Sequence, residues 1–124
     1  MREILFRGRD ISGQWHYGVP LIFNEDYVCI AKLNEHNKTV EYKTLGQYTG
    51  LTDKNGNKIF EGDIVQGAWE TIFAVYYDSN YLQFRAKVKD DYTREIDYYG
   101  NSTQIEVIGN IYDNPELLKE AEQE

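Results

Sequence analysis

QYTGLTDKNGNKIFEGDIV, at residues 47–65, is the stretch of this chain that decides the fold. The pair Asn55-Gly56 predicts a β-hairpin, because a two-residue type I′ turn needs positive φ at both central positions and these residue types adopt it. Lys58–Phe60 follows as an extended segment, and Ile64-Val65 begins a β-branched strand after a break. The stretch therefore predicts alternating strands and turns in a small β-rich body.

The same residues suggest a second interpretation, a calcium loop, because Asp53, Asn55 and Asn57 alternate as oxygen donors. A calcium loop of that kind needs glycine at its sixth position and a bidentate acid at its twelfth. Counted from Asp53, those positions hold Lys58 and Ile64. The spacing therefore excludes the calcium loop and favours the hairpin.

Short extended segments separated by turn residues continue along both halves of the chain. Alternating or β-branched patterns and the turn residues between them define the segments. The predicted strands are Glu3–Arg7, Trp15–Gly18, a strand that starts at Pro20, Tyr27–Leu33, Lys38–Lys43, Gly46–Thr49, Thr71–Tyr77, Tyr81–Lys89 and Gln104–Tyr112. In the last of these we expect Gly109 to form a bulge or a close approach.

Thr71–Tyr77 is apolar at nearly every position, which predicts a strand covered on both faces. Such a strand is either central in its sheet or an edge used for self-association or strand addition. Tyr81–Lys89 instead alternates between apolar and polar residues. The pattern predicts one face with Leu82, Phe84, Ala86 and Val88 and the other with Gln83, Arg85, Lys87 and Lys89.

The C-terminal segment from residue 114 predicts a short helix. Asn114 is suited to cap it, and Pro115 stands at the first helical position, where its missing N–H has no cost. Glu116 meets the positive end of the helix dipole.

GQYTGLTDKNGNKIFEGDIV at residues 46–65, together with EVIGNIYDNPELL at residues 106–118, resembles the YopX family of phage and prophage proteins. MREILFRGRD at residues 1–10 and QWHYG at residues 14–18 fit the same pattern, so the resemblance covers nearly the whole chain. It implies a phage or mobile-element origin, and it carries over no activity and no catalytic residues, because the family is one of unknown function.

The resemblance also implies an architecture. It implies one mainly β domain over residues 1–124. Its parts are a small N-terminal β-hairpin region at 1–50, an SH3-like barrel at 51–113 and a short C-terminal helix or tail at 114–124.

Charge and composition limit the classes of function. The net charge of the 124 residues is −8, and residues 61–124 hold five Lys or Arg against fourteen Asp or Glu. This acidic half repels phosphate backbones and disfavours non-specific nucleic-acid binding. The single cysteine, Cys29, lies in an apolar run, which predicts a buried, inert thiol and a reducing compartment. With no signal region and no membrane-length apolar run in the sequence, we expect a cytoplasmic protein of a bacterial host.

Candidate chemical sites are few. His16 and His36 have no second ligand at metal spacing, so we expect a packed and a solvated side chain. Glu61 and Asp63 form an i, i+2 carboxylate pair, but the glycine between them marks a turn, in which Asp63 is expected to accept backbone N–H groups. The sequence contains no phosphate loop, dinucleotide fingerprint, nucleophile elbow or zinc pattern. We therefore predict no catalytic residue, no cofactor and no metal, and expect that the protein is not an enzyme.

The candidate interaction surface joins the apolar strand to the basic strand face that follows it. Its residues are Ile72, Phe73, Val75, Tyr77, Tyr81, Arg85, Lys87 and Lys89. The first hypothesis is a binding or assembly module that contacts a host or phage protein or a second copy of itself. A second hypothesis is single-stranded nucleic-acid binding, in which Arg85, Lys87 and Lys89 pair with phosphates. A small-ligand enzyme is the third and least favoured.

Overall fold

The computed structural model of the chain describes residues 3–22, 24–88 and 93–118. These residues form two compact units, Met1–Tyr48 and Thr49–Glu124, and the boundary falls inside the fifth strand. The fold is mainly β, as predicted. The strands are β1 Phe6–Arg9, β2 Trp15–Ile22, β3 Tyr27–Ala31, β4 Lys38–Glu41, β5 Gly46–Thr52, β6 Lys58–Phe60, β7 Asp63–Gln66, β8 Ile72–Asp78, β9 Gln83–Lys87 and β10 Glu106–Asn110.

In the first unit, antiparallel strands lie in the order β4-β3-β2-β1-β5. The core consists of Val28, Ile30 and Val40, with Leu45 packed against them. Gly8 is needed beside this core, because a Cβ there would lie 2.4 Å from a Val40 methyl group. The small glycine lets the aliphatic side chains lie directly over the backbone of β1.

The two strands expected around residues 15–18 and from Pro20 are one strand, β2. Pro20 pairs with Ile30 of β3, beyond the last β1 pair at Phe6 and Gly18. There β2 has a neighbour on one side only, which is the position in a sheet that tolerates proline. The proline therefore did not mark a strand start.

In the second unit, four antiparallel strands lie in the order β10-β7-β8-β9, and β6 pairs with β5. The apolar strand β8 is central, between β7 and β9, so the alternative of an edge strand open to strand addition is wrong. Alternate residues of the strands face a core formed by Ile59, Val65, Phe73, Val75, Ala86, Ile96 and Ile105. Because β8 has hydrogen-bonded neighbours on both sides, its backbone is not available to a partner.

The predicted bulge at Gly109 is confirmed. The register between β10 and β7 shifts between Val107 and Gly109, and a Cβ on Gly109 would lie 2.5 Å from Asn114 Oδ1. Asn114 accepts the Asn110 N–H through that oxygen at 3.2 Å, so its side chain holds the end of β10. A helical turn begins at residue 116 in the described part of the chain, and the rest of the predicted helix lies outside it.

The SH3-like barrel is not confirmed, because neither sheet closes on itself within residues 3–22, 24–88 and 93–118. The hairpin at residues 53–57 is confirmed, but its turn type is not the predicted one. Only Gly56 has positive φ there, at 81°, whereas a type I′ turn also needs it at Asn55. The predicted division of the domain into parts that end at residues 50 and 113 stays a prediction.

Candidate functional site

Arg85 of β9 lies at the centre of a closed polar group and is not an exposed cation. Its side chain is 6% exposed. Nε donates to Thr93 Oγ1 at 2.8 Å, and Nη2 donates to the Thr93 carbonyl at 3.0 Å. Nη1 donates to Gln83 Oε1 at 2.8 Å and lies 3.5 Å from Glu95 Oε1. The guanidinium group is thus enclosed by acceptors from its own strand and from residues 93–95.

Two carboxylates complete this group. The Thr93 hydroxyl donates to Asp78, and that bond, with a smaller contribution from the charge of Arg85, lowers the pKa of Asp78. The pKa of Glu95 is lowered by a hydrogen bond to its own backbone N–H and then by the charge of Arg85. Both carboxylates remain ionised near neutral pH, so the charge of Arg85 is balanced locally.

The sequence predicted a basic strand face formed by Arg85, Lys87 and Lys89. The prediction that these residues form a row of exposed cations is wrong. Arg85 is buried and hydrogen bonded, and Lys87 is half-buried with its ammonium 5.5 Å from the centre of the Tyr76 ring. Lys89 lies outside the described residues. From residue 83 onward the alternation correctly predicted which described side chains share a face, but it did not predict that residues 93–95 cover the face of Arg85.

Two residues of the predicted interaction surface belong to the core. Phe73 and Val75 are fully buried, and Phe73 stacks on Tyr99 with ring centres 5.2 Å apart. Ile72, on the other face of β8, is half-buried. The apolar strand thus stabilises the second unit, and Phe73 and Val75 are not available for contact with a partner.

Tyr77 and Tyr81 remain at the surface, 47% and 59% exposed. Tyr77 meets Phe84 edge-on at 5.3 Å, on the face that continues into the core. The Tyr81 ring lies over the Arg85 guanidinium at 3.8 Å, and Arg85 points to the opposite face. The structure therefore places these tyrosines on two sides of the β8–β9 hairpin and not in one patch.

Leu82 lies in the same turn and is 76% exposed with a φ of 54°. We expected it to face the core within the strand, but β9 begins only at Gln83. The left-handed backbone at Leu82 turns its side chain away from the core, so the prediction for this residue is wrong.

Trp69 is the most exposed large apolar side chain among the described residues, and it is not among the site residues predicted from the sequence. It is 88% exposed at the apex of residues 67–71, between β7 and β8. Trp69 and Glu70 have φ values of 56° and 58°, a conformation that non-glycine residues rarely adopt. A tryptophan between two β-branched runs, two residues after Gly67, was the available signal.

The loop that carries Trp69 is short and closed. Gly67 N–H donates to the Thr71 carbonyl at 2.8 Å, and Thr71 N–H donates to the Ala68 carbonyl at 3.0 Å. A Cβ on Gly67 would lie 2.4 Å from the Tyr99 carbonyl oxygen, so the base of the loop packs directly on neighbouring backbone. The indole is therefore held outward by a fixed, strained backbone.

The first unit contains a small pocket at the β3–β4 end of its sheet, with a volume of about 130 Å³. Aromatic, aliphatic and charged side chains share the lining, and both histidines of the chain take part. The lining residues are Trp15, His16, Tyr17, Ile30, Lys32, Glu35, His36 and Lys38. The spacing of His16 and His36 in the sequence did not predict that they share a pocket. The β2–β3 pairing and the turn after β3 bring them together.

The His16 side chain is packed, which agrees with the prediction of one packed and one solvated histidine. Its Nε2 lies 2.7 Å from Asp10 Oδ2. The pKa of Asp10 is held far below its usual range by hydrogen bonds from the Ser12 hydroxyl, from His16 and from the Gln14 N–H. The Arg7 guanidinium lies over the neighbouring Trp15 ring at 4.6 Å. His36 is exposed at the pocket rim, as predicted.

The other candidate residues are structural. Asp63 is buried and accepts the Phe60 N–H at 2.7 Å, so the predicted turn role is confirmed. Cys29 is buried and forms no disulfide with any described residue. Asp53 is buried, and its carboxylate accepts the N–H groups of Asn55, Asn57 and Val107, which leaves it in the hairpin and not in a metal site.

Among the described residues, no group of three or more His, Cys, Asp and Glu side chains is arranged to hold a metal ion. No helix in the same part of the chain has the length and apolar composition needed to cross a membrane.

Comparison with known proteins identifies a family and a solved structure of similar fold. The family model for YopX protein matches residues 6–119. The crystal structure of protein EF1440 from Enterococcus faecalis is 23% identical, covers 95% of this chain and 99% of its own, and superposes with a TM-score of 0.63. At that identity the likeness shows a shared fold. No curated protein matches the chain.

Proposed function

The chain belongs to the YopX family, and from that premise we propose that it is a binding or assembly module that acts through protein–protein contacts. One observation carries the proposal, which is the exposure of large aromatic side chains on turns of the second unit. Trp69 is 88% exposed and Tyr81 is 59% exposed, each next to a residue of positive φ, Glu70 and Leu82.

Physical arguments connect this observation to binding. Tryptophan and tyrosine are the residue types most enriched among those that dominate the free energy of protein–protein binding. They offer a large contact area for two rotatable bonds, so little side-chain entropy is lost on docking. Left-handed backbone at bulky residues costs free energy and persists chiefly where function selects it. Trp69 combines all of these properties.

The proposal further places this module in the cytoplasm of a bacterial host, as a product of a phage or other mobile element, and assigns it no catalytic chemistry. The similarity of residues 46–65 and 106–118 to the YopX pattern supports the origin. The buried thiol of Cys29 and its apolar surroundings suit a reducing compartment. Nucleic-acid binding through the β9 face loses its support, because Arg85 is enclosed by Thr93 and Glu95.

The test compares the wild-type protein with Trp69→Ala and Tyr81→Ala in a quantitative affinity capture from lysate of a bacterial host, with light scattering on the same samples. We expect a partner or a self-associated species that Trp69→Ala weakens at least about tenfold, as for residues that anchor an interface. Lys58→Ala, on the exposed side of β6, is the control and should leave capture unchanged. A wild-type protein that stays monomeric and retains no partner contradicts the proposal.

A further inference from the structure

We propose that Trp69 of one copy docks into the pocket of the first unit of a second copy, the pocket formed around Ile30 and His36. This inference rests on the proposed function and names the partner. It joins two features, an indole that the described residues of its own chain leave exposed and a cavity lined for an aromatic ring.

The pocket has the size of an aromatic ring. Its volume is about 130 Å³, slightly less than the volume of about 150 Å³ of an engineered protein cavity that takes benzene. Ile30 is nearly fully buried and offers little surface, so the more accessible rings of Trp15 and Tyr17 supply the apolar part of the lining. The pocket is open to solvent on one side, so one ring of an indole can enter it while the rest of the side chain lies at its mouth.

The rim of the pocket suits an indole that is followed by a carboxylate. Lys32 and Lys38 lie at the rim, where an ammonium group over the face of an indole is favourable. Lys32 already forms an exposed pair with Glu35 at 3.3 Å, whereas Lys38 is the register partner of Ile30 in the β3–β4 pairing. Glu70, directly after Trp69, brings a carboxylate to these cations.

The charges of the two units favour this contact over one between like units. Residues 1–48 hold six Lys or Arg and six Asp or Glu, whereas residues 49–124 hold seven and fifteen. Two acidic second units repel each other, but an acidic second unit meets a neutral first unit with a basic pocket rim without repulsion. The partner that fits is thus the first unit of another copy.

The contact is heterologous, because the surface patch that docks and the patch that receives it are different. Such contacts give closed rings or open chains and do not stop at a symmetric dimer. This property supplies the test. Trp69→Ala leaves the pocket intact, and Lys38→Glu leaves the tryptophan intact, so each variant retains one complementary half of the interface.

The experiment is sedimentation velocity on the full chain at concentrations up to about millimolar, the range in which weak contacts form. We expect the mass of the wild-type protein to rise with concentration and each single variant to remain monomeric. An equimolar mixture of Trp69→Ala and Lys38→Glu should form a complex of one copy of each and nothing larger. Glu70→Lys should weaken wild-type association, and the double variant Glu70→Lys with Lys38→Glu should restore it.

Tyr98→Ala, which removes another exposed aromatic ring, is the matched control and should associate as the wild type does. Thermal melts confirm that each variant is folded. A wild-type protein that stays monomeric, or a mixture of the two variants that stays monomeric, overturns the inference. If that monomer still captures a partner that Trp69→Ala loses, only the identity of the partner was wrong. If it captures none, the proposed function fails as well.

Discussion

The turn at residues 10–14 in the first unit and the turn at residues 53–57 in the second have the same backbone. In each, the first residue is an aspartate whose N–H donates to the carbonyl four residues later and whose carbonyl accepts from the glycine three residues later. Gly13 and Gly56 both have positive φ, at 92° and 81°. In each, one carboxylate oxygen accepts the N–H groups two and four residues on.

The two turns differ in what the second carboxylate oxygen holds. Asp10 Oδ2 meets His16 Nε2, six residues away in the same hairpin, at 2.7 Å. Asp53 Oδ2 accepts the backbone N–H of Val107, 54 residues away on β10, at 2.9 Å. The same local motif therefore serves a local contact in one unit and connects distant strands in the other. The consequences of losing it should differ accordingly.

The largest expected difference comes from replacing each aspartate with asparagine. At position 53 the amide NH₂ must face either Val107 N–H or the two turn N–H groups, and none of these donors can become an acceptor. We expect Asp53→Asn to lower the free energy of unfolding by about 2 kcal/mol, as for an unsatisfied buried polar group. Urea denaturation followed by circular dichroism measures it.

Asp10→Asn is the matched control. There the NH₂ group faces His16, whose ring nitrogen becomes an acceptor when the imidazole changes tautomer. We expect a smaller loss of stability than for Asp53→Asn, because Asp10 is more exposed and solvent screens the hydrogen bonds that lower its pKa. Equal losses at the two positions would show that the Val107 bond adds nothing beyond the turn.

A smaller effect, equal in both turns, is expected from Gly13→Ala and Gly56→Ala. A Cβ at either position meets no atom within 4 Å, so the cost comes from the left-handed backbone alone. Each variant should lose about 1 kcal/mol of unfolding free energy. Asparagine at the same positions should recover part of that loss, because it tolerates this conformation. Costs that differ by more than about 1 kcal/mol would contradict the equivalence of the two backbones.

The smallest effect is confined to acid solution. Burial alone would raise the pKa of Asp53, but the N–H groups of Val107, Asn57 and Asn55 outweigh it and lower the pKa below the ordinary 3.8. A lowered folded-state pKa stabilises the protein above the unfolded value, and that contribution is lost as pH falls through the folded pKa. Unfolding free energies measured from about pH 6 to about pH 2 should therefore fall less steeply for Asp53→Asn than for the wild type. Parallel curves would assign the acid dependence to other groups.

The hairpin at residues 53–57 shows how far the sequence determines the local fold. An aspartate followed by glycine three residues later predicts a turn at both positions, since this pattern suits a type I turn. The pair Asn55-Gly56 suggested a two-residue turn, but the carboxylate of Asp53 holds Asn55 and Asn57 in a three-residue loop. The bond to Val107 could not be predicted, because no local pattern indicates which strand lies beside the turn.

The sequence predicted which face of β9 each candidate side chain lies on, but it did not predict which of these side chains are exposed to solvent. Alternation placed Gln83, Arg85 and Lys87 on one face of β9, and the pairing with β8 bears this out. It also predicted that Arg85 would remain in water, which is wrong, because Thr93 and Glu95 reach it from a segment with no strand pattern. The exposure of Trp69 depends in the same way on tertiary packing around a loop.

The outer edges of the four-stranded sheet have a consequence for the behaviour of the protein at high concentration. At β10, Val107 N–H is held by Asp53 and Asn110 N–H by Asn114, and at β9, Ala86 pairs with Arg94 in both directions. Backbone groups that are already occupied cannot template the cross-β stacking that leads to fibrils. These two edges of the four-stranded sheet therefore resist amyloid-like growth, even with aromatic side chains displayed on the turns of the second unit.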